Sequence, residues 1–414
     1  MIASAILEPV DMSKTIAFTS AAQNYLPKVR KLFDSLRRHH PEFELVLALA
    51  DKPHDSVDFG AEPLDRVIPL RDLDIDDRLR WTYFHTIVEL STAIKPYVLL
   101  RLLSEPGVDR VLYFDPDMVV FSRLDDLLAD LDAANVVLTP HVTTPEVDVE
   151  AIRDNEIAAL KHGVYNLGFL GVRPTEEGRR FARWWADRIY HFCVADIPAG
   201  LFTDQRWIDL APAFFGGVHV LKSPRFNVAT WNLTQRRVDG DLSAGFTVNG
   251  VPLGFYHFTG FDSGAHRVMM GKNAGGNAAV AELVQWYADS ARFDDDEPVS
   301  RIPWAFGRYT NGEAIPLGHR RLYRVRPDLQ VAFPDPFEAA HGGLHGWMTT
   351  QGPLEHPEYF PKERERLRDR QGPLPVYSCS QALEESHALA TIRHSEACCD
   401  DSGLVVGTRL PLNP

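Results

Sequence analysis

Cysteine is scarce: Cys193, Cys379, Cys398 and Cys399 are the only four in 414 residues. Thiols so few and so unevenly spaced do not make the disulfide framework of a secreted domain, so a reducing compartment, the cytoplasm, is expected. Cys379, His394, Cys398 and Cys399 gather metal-binding residue types, but adjacent cysteines depart from the paired spacing of structural zinc sites. Positive charge is also in deficit. The formal net charge of −14 argues against a surface that tracks a phosphate backbone, because that binding rests on many Lys and Arg contacts. Nucleic acid is therefore not an expected partner, although a local basic pocket stays open. Long apolar runs are missing as well. The one in the first fourteen residues is broken by Glu8, Pro9 and Asp11 and lacks the basic start of a signal peptide, and no later run has the length of a transmembrane segment. Internal repeats and low-complexity segments are absent too.

What is present is the balance of a globular protein, 45% apolar and 24% charged. The length exceeds the usual single domain, so a large domain with a smaller appended one is expected. The first half alternates β-rich runs with helical patterns, the signature of an open α/β sheet. Strands are expected at Thr15 to Thr19, Glu44 to Ala50, Arg66 to Leu70, Val111 to Phe114, Asn135 to Leu138 and Phe169 to Val172. Helices are expected behind Pro27, from Trp81 to Ser104 with a break or kink at Pro96, from Arg123 to Leu131, from Gly178 to Cys193, from a cap near Thr203, and from Ala278 to Ala291. The acidic stretch Asp294, Asp295, Asp296, Glu297 marks a boundary between residues 1–297 and a module of residues 298–414. Aromatic residues up to about 360 either cover the sheet or shape a groove, and the run from Lys362 to Arg370 reads as a solvated charged face.

One segment carries chemistry. Val111-Leu112-Tyr113-Phe114-Asp115-Pro116-Asp117-Met118-Val119-Val120 sets two carboxylates, one residue apart, between apolar runs. Turn residues need only be exposed, whereas these flanks bury their backbone. Hard cations take oxygen ligands, commonly one or two protein carboxylates completed by substrate phosphates. In open α/β sheets ligands sit beyond the carboxyl ends of the strands, where Ser20, Asp51 and Asp115 fall. Other candidates have bland alternatives: His257 as a core histidine, Asp204 as a helix cap, Asn166 and Gly168 as a tight turn, Lys95 as an exposed lysine, Asp51 as a loop cap.

In order along the chain stand Thr92-Ala93-Ile94-Lys95-Pro96, Asp115-Pro116-Asp117, Tyr165-Asn166-Leu167-Gly168-Phe169, Thr203-Asp204-Gln205, Phe226-Asn227 with Trp231-Asn232, and Tyr256-His257-Phe258-Thr259-Gly260. Through these segments, over roughly residues 14 to 262, the chain resembles GT-A fold glycosyltransferases, especially the retaining family-eight type with its glycogenin and galactosyltransferase groups. The resemblance implies a Rossmann-like nucleotide-diphosphosugar transferase domain followed by a mostly helical or irregular extension. It implies Asp115, Asp117 and His257 as ligands of Mn2+ or Mg2+, and Asp204 and Gln205 at the reacting sugar. Thr19, Ser20 and Asn166 would face the donor, a uridine diphosphate sugar; by residue type, Asp51 could accept from the base or ribose, Lys95 could reach diphosphate oxygens, and Gly168 could let ligand and backbone approach closely. The pattern departs after Gly260, where a Lys-Pro-Trp is expected and Phe261-Asp262-Ser263-Gly264-Ala265-His266-Arg267 is found. Arg267 or Lys272 is then left to neutralise the diphosphate.

The reaction so implied is transfer of a sugar to a hydroxyl of a carbohydrate, lipid-linked or protein acceptor. A phosphatase with an Asp nucleophile would place a Thr shortly after the second Asp, where Met118 and Val119 stand, and no glycine-rich phosphate loop opens the first strand. A sugar- or nucleotide-sugar-binding protein that kept the fold without turnover is the remaining alternative.

Overall fold

The computed structural model describes residues 14–290 and 297–360. The acidic run 294–296, the charged run from Lys362 and the group of Cys379, His394, Cys398 and Cys399 lie outside the described residues.

The strands that build the sheet and the site are β1 (Lys14–Ala21), β2 (Glu44–Leu49), β3 (Arg66–Pro69), β4 (Val108–Phe114), β5 (Met118–Val120), β6 (Val136–Pro140), β7 (Tyr165–Val172), β8 (Val218–Val220) and β9 (Phe255–His257). Seven of them form the central sheet in the order β8-β6-β7-β4-β1-β2-β3. Every neighbouring pair is parallel except those made by β7, which runs antiparallel to both β4 and β6. This is the α/β class with a mainly parallel sheet expected from the sequence. Parallel strands are covered on both faces, and the apolar run of β2 shows it, since every residue after Glu44 is buried.

Helix α1 (Leu26–His39) carries Val29, Leu32, Phe33 and Leu36 at helical spacing, and all four are buried. Each such burial is worth about 1.5–3 kcal/mol, enough to fix the face this helix presents to the sheet. The helix expected from Trp81 to Ser104 is three shorter ones, α2 (Arg78–Tyr83), α3 (Ile87–Ala93) and α4 (Lys95–Leu103). Pro96 stands in the first turn of α4, where a missing N–H costs nothing. The other break comes from Thr86 and Glu89, which form a reciprocal capping box at the start of α3.

Residues after 297 share the core of the sheet. Phe306, Tyr309, Leu322, Tyr323, Leu344 and Met348 belong to one buried cluster with Ile16, Val98 and Trp185. The Trp304 indole donates to the Ala50 carbonyl at 2.9 Å, so this segment closes over the end of β2. Among the described residues no helix is long and apolar enough to cross a membrane.

Candidate active site

The parallel strands β1, β4 and β6 end on one side of the sheet, and antiparallel β7 begins there. Their ends deliver Ser20, Asp115, His141 and Asn166 to a cavity of about 740 Å³. Asp115 is tied to the next strand, its N–H donating to the Gly168 carbonyl at 2.7 Å. Immediately after it, β5 pairs antiparallel with β9, so that His257 stands opposite Met118. The Phe258 N–H donates to the Asp117 carbonyl at 2.9 Å and the His257 N–H to the Val228 carbonyl at 2.8 Å. That register carries an imidazole to the carboxylate pair from 140 residues downstream.

The three groups converge. His257 Nε2 lies 3.1 Å from Asp117 Oδ1 and 3.7 Å from Asp115 Oδ2. One ligand atom from each of Asp115, Asp117 and His257 lies within 4.8 Å of the others. Burial would raise the Asp117 carboxyl, but the charge and hydrogen bond of His257, with Lys28 further off, hold it down at about 2. Burial would lower the His257 pKa, yet Asp117 and then Asp115 raise it above the ordinary 6.5. The two shifts together favour a charged pair, a carboxylate facing an imidazolium. Gly168 lies within β7, not at a turn before a strand, and its reason is a close approach: a Cβ there would come within 2.6 Å of His257 Cε1 and 2.5 Å of Met118 Cε.

Lys95, at the head of α4, is buried and not an exposed lysine. Its Nζ sits 3.3 Å from Asp115 Oδ1 and 3.4 Å from Asp204 Oδ2, over the Tyr113 ring at 4.3 Å. Asp204 does not cap with its side chain: the short helix α5 begins at Gln205 and spans Gln205–Ile208, without a side-chain hydrogen bond from Asp204. Thr203, expected near the cap, holds a left-handed φ of 46°, an uncommon state for a threonine that aims the following carboxylate inward. Burial, outweighing Lys95, raises the Asp204 carboxyl to about 6. Gln205 is a brace. Its Oε1 accepts from the Leu167 N–H at 3.0 Å and from Asn166 Nδ2 at 3.3 Å, and its Nε2 donates to the His162 carbonyl at 2.9 Å. Asn166, inside β7, accepts from the Gly168 N–H at 3.1 Å and from Asn227 Nδ2 at 3.2 Å.

Not every candidate reaches the cavity. Ser20 lines it, while its hydroxyl donates to the Ser91 carbonyl at 2.6 Å; Thr19 is buried and is not a lining residue. Asp51 turns the other way, its Oδ1 accepting from the N–H groups of Lys52 and Ala305 at 2.9 and 3.0 Å. Arg267 is exposed and outside the lining. Lys272 pairs with Asp154 and, at 3.5 Å, with Glu150. Three groups went unread in the sequence. Tyr113 donates to Asp115 Oδ1 at 2.5 Å, and its place two residues before Asp115 on a strand was a usable signal, since alternate residues share a face. His141 lies 3.4 Å from Asn166, its pKa pulled to about 4 by burial. The third is a cluster, in which Lys28 Nζ meets Tyr25 Oη and Asp262 Oδ2, each at 2.5 Å; only the folded loop reveals it.

No family model matches the chain. Two proteins of Bacillus subtilis (strain 168) are similar in sequence. The uncharacterized protein YfnD is 26% identical over 247 residues, 59% of this chain and 76% of that protein. The uncharacterized protein YfnF is 26% identical over 176 residues, 42% of this chain and 57% of that protein. Among solved structures, the galactosyltransferase LgtC in complex with donor and acceptor sugar analogs matches at 18% identity and a TM-score of 0.39, over 67% of this chain and 95% of that one. The glycosyltransferase GlyE of Streptococcus pneumoniae TIGR4 matches at 16% identity and a TM-score of 0.39, over 67% of this chain and 64% of that one. The α/β fold stands on the strand order itself.

Proposed function

We propose that the protein is a metal-dependent glycosyltransferase that moves a sugar from a nucleotide-diphosphosugar, with uridine diphosphate as the carrier, to an acceptor hydroxyl with retention of configuration. The observation that carries this reading is the convergence of Asp115, Asp117, His257, Lys95 and Asp204 on one cavity of about 740 Å³. Two carboxylates and one imidazole suit Mn2+ or Mg2+ with open positions for diphosphate oxygens. When bound, such a cation supplies charge stabilisation to the departing nucleoside diphosphate.

The chain's own residues do the rest. Tyr113 and Lys95 hold the Asp115 carboxylate from one side, which leaves its second oxygen towards His257. Asp204, buried and aimed into the cavity by Thr203, supports positive charge on the sugar as nucleophile or as electrostatic partner. Gln205 and Asn166 fix the strand start beneath it. Ile87, Val88, Phe202 and Trp231 supply apolar wall, which keeps water from the reacting carbon.

A screen of nucleotide sugars for manganese-stimulated hydrolysis tests the reading. Release of free sugar from a uridine diphosphate donor, abolished by chelation, is expected. Donor binding without turnover towards any acceptor would instead favour the inactive nucleotide-sugar-binding protein. Product NMR tests retention: a β-linked product from an α-linked donor overturns that part.

A further inference from the structure

A second cavity, of about 580 Å³, shares no lining residue with the first. One wall is Arg236 to Gly240; the other is the Gly275-Gly276 turn and the start of helix α6, the thirteen-residue segment Ala278–Ser290. Arg236 is 3% exposed. Its Nη1 donates to the Phe226 carbonyl at 2.5 Å, and its Nε is buried with no partner. Among the described residues no carboxylate pairs with it, and burial pulls its pKa down to about 10. A buried charge without a counter-ion is costly, so the guanidinium points to an anion that completes it.

The opposite wall offers the matching donors. At the head of α6 the Asn277 side chain accepts from the Val280 N–H and its carbonyl accepts from the Ala281 N–H. Among the described residues the N–H groups of Ala278 and Ala279 have no acceptor. Free amides at the positive end of a helix bind oxyanions. The preceding glycines hold left-handed φ values of 56° and 82°, and a Cβ on either would meet nothing within 4 Å, so the turn leaves the mouth open. Asp239, the carboxylate on the lining, is paired with Arg237 Nε at 3.0 Å.

We propose that this cavity is a second binding site, for a phosphate group held between the Arg236 guanidinium and the first amides of α6. A soluble phosphate and a phospholipid headgroup share that chemistry, and the experiment separates them. Thermal melting and calorimetry in EDTA use inorganic phosphate against chloride at matched ionic strength. Co-sedimentation uses vesicles with and without phosphatidic acid. Two variants accompany the wild type: Arg236→Gln removes the cation, and Ala278→Asp, at an exposed position, puts a carboxylate of the chain's own against the helix start. Stabilisation by phosphate, with affinity at least tenfold weaker in both variants, supports a soluble ligand. Capture by phosphatidic-acid vesicles alone, lost in both variants, supports a lipid headgroup. If Arg236→Gln does not fold, Ala278→Asp decides. No response beyond chloride to either probe, or an equal response in the variants, overturns the site.

Discussion

Gly168→Ala tests how the candidate metal centre is held. The added Cβ would stand 2.5 Å from Met118 Cε, 2.6 Å from His257 Cε1 and 2.7 Å from Asn166 Oδ1, all closer than carbon tolerates. Met118 and His257 are buried and cannot swing into solvent. Overpacking of this kind costs about 1–3 kcal/mol of stability. Where the imidazole gives way, its Nε2 leaves a geometry set 3.1 Å from Asp117, and manganese affinity should fall by about 10 to 100 fold, equivalent to about 1.4–2.8 kcal/mol. Manganese titration calorimetry reads the affinity, and melting in EDTA reads the stability apart from the metal. Gly171→Ala is the control, since on the same strand its Cβ would meet Leu131 at 3.2 Å and Leu112 at 3.4 Å, away from the site. It should lose stability alone. A Gly168→Ala protein that melts lower yet binds manganese within twofold of the wild type would refute the claim that this glycine sets the imidazole.

Asp117→Asn should abolish manganese-dependent donor binding with the fold intact, and unchanged donor affinity in a manganese titration would remove Asp117 from the ligand set. Manganese affinity should fall as pH drops through the raised pKa of His257, because the ligand must be the neutral imidazole; a flat profile between pH 8 and 5.5 counts against His257. Asp204→Ala should lower kcat far more than donor affinity, the mark of an interaction made mainly in the transition state, and an equal loss in both would argue for ground-state binding alone. Asp204→Asn should stabilise the metal-free protein at neutral pH: an acid whose folded pKa is raised from 3.8 to about 6 is stabilising when neutral and loses stability as pH rises through that interval. The gain is at most about 3 kcal/mol, and melting curves of the two proteins should converge below pH 4.

The Asp115-Pro116-Asp117 segment was legible because apolar runs on both sides made its exposure improbable as a mere turn, and the structure buries those runs in β4 and β5. Pro96 was legible for a local reason too, as a residue without an N–H fits the first turn of a helix and breaks or kinks its interior. Reading failed where a long-range contact decides the local state. Nothing near Thr203 announces a left-handed backbone, so the helix start was set too early. The place of His257 depends on the β5–β9 register, which sequence separation hides; only the ordered resemblance pointed to it. A tight turn was an equal rival at Asn166 and Gly168 because Asn and Gly are weak strand formers, yet the Asn166 contacts with Gln205 and Asn227 and the crowding at Gly168 go with a place inside β7.

Asp51 and Asp204 show why a shifted carboxyl does not by itself mark a site. Burial raises both to about 6, and both stand near the carboxyl edge of the sheet. What separates them is where their hydrogen bonds go. Asp51 spends one oxygen on the backbone of Lys52 and of Ala305, beside the Trp304 bond to Ala50, so its carboxylate fastens the segment after 297 to the end of β2. Asp204 ties down no distant segment: its helix starts without its side chain, its Oδ1 accepts from the neighbouring Thr203 hydroxyl at 3.3 Å, and its Oδ2 faces Lys95, which it shares with Asp115. A carboxylate kept buried at a cost, facing a cavity and joined through one lysine to a second carboxylate, is a candidate for function, which the Asp204→Ala kinetics test. The same shift belongs at one residue to a carboxylate that fastens a segment and at the other to one that faces a cavity.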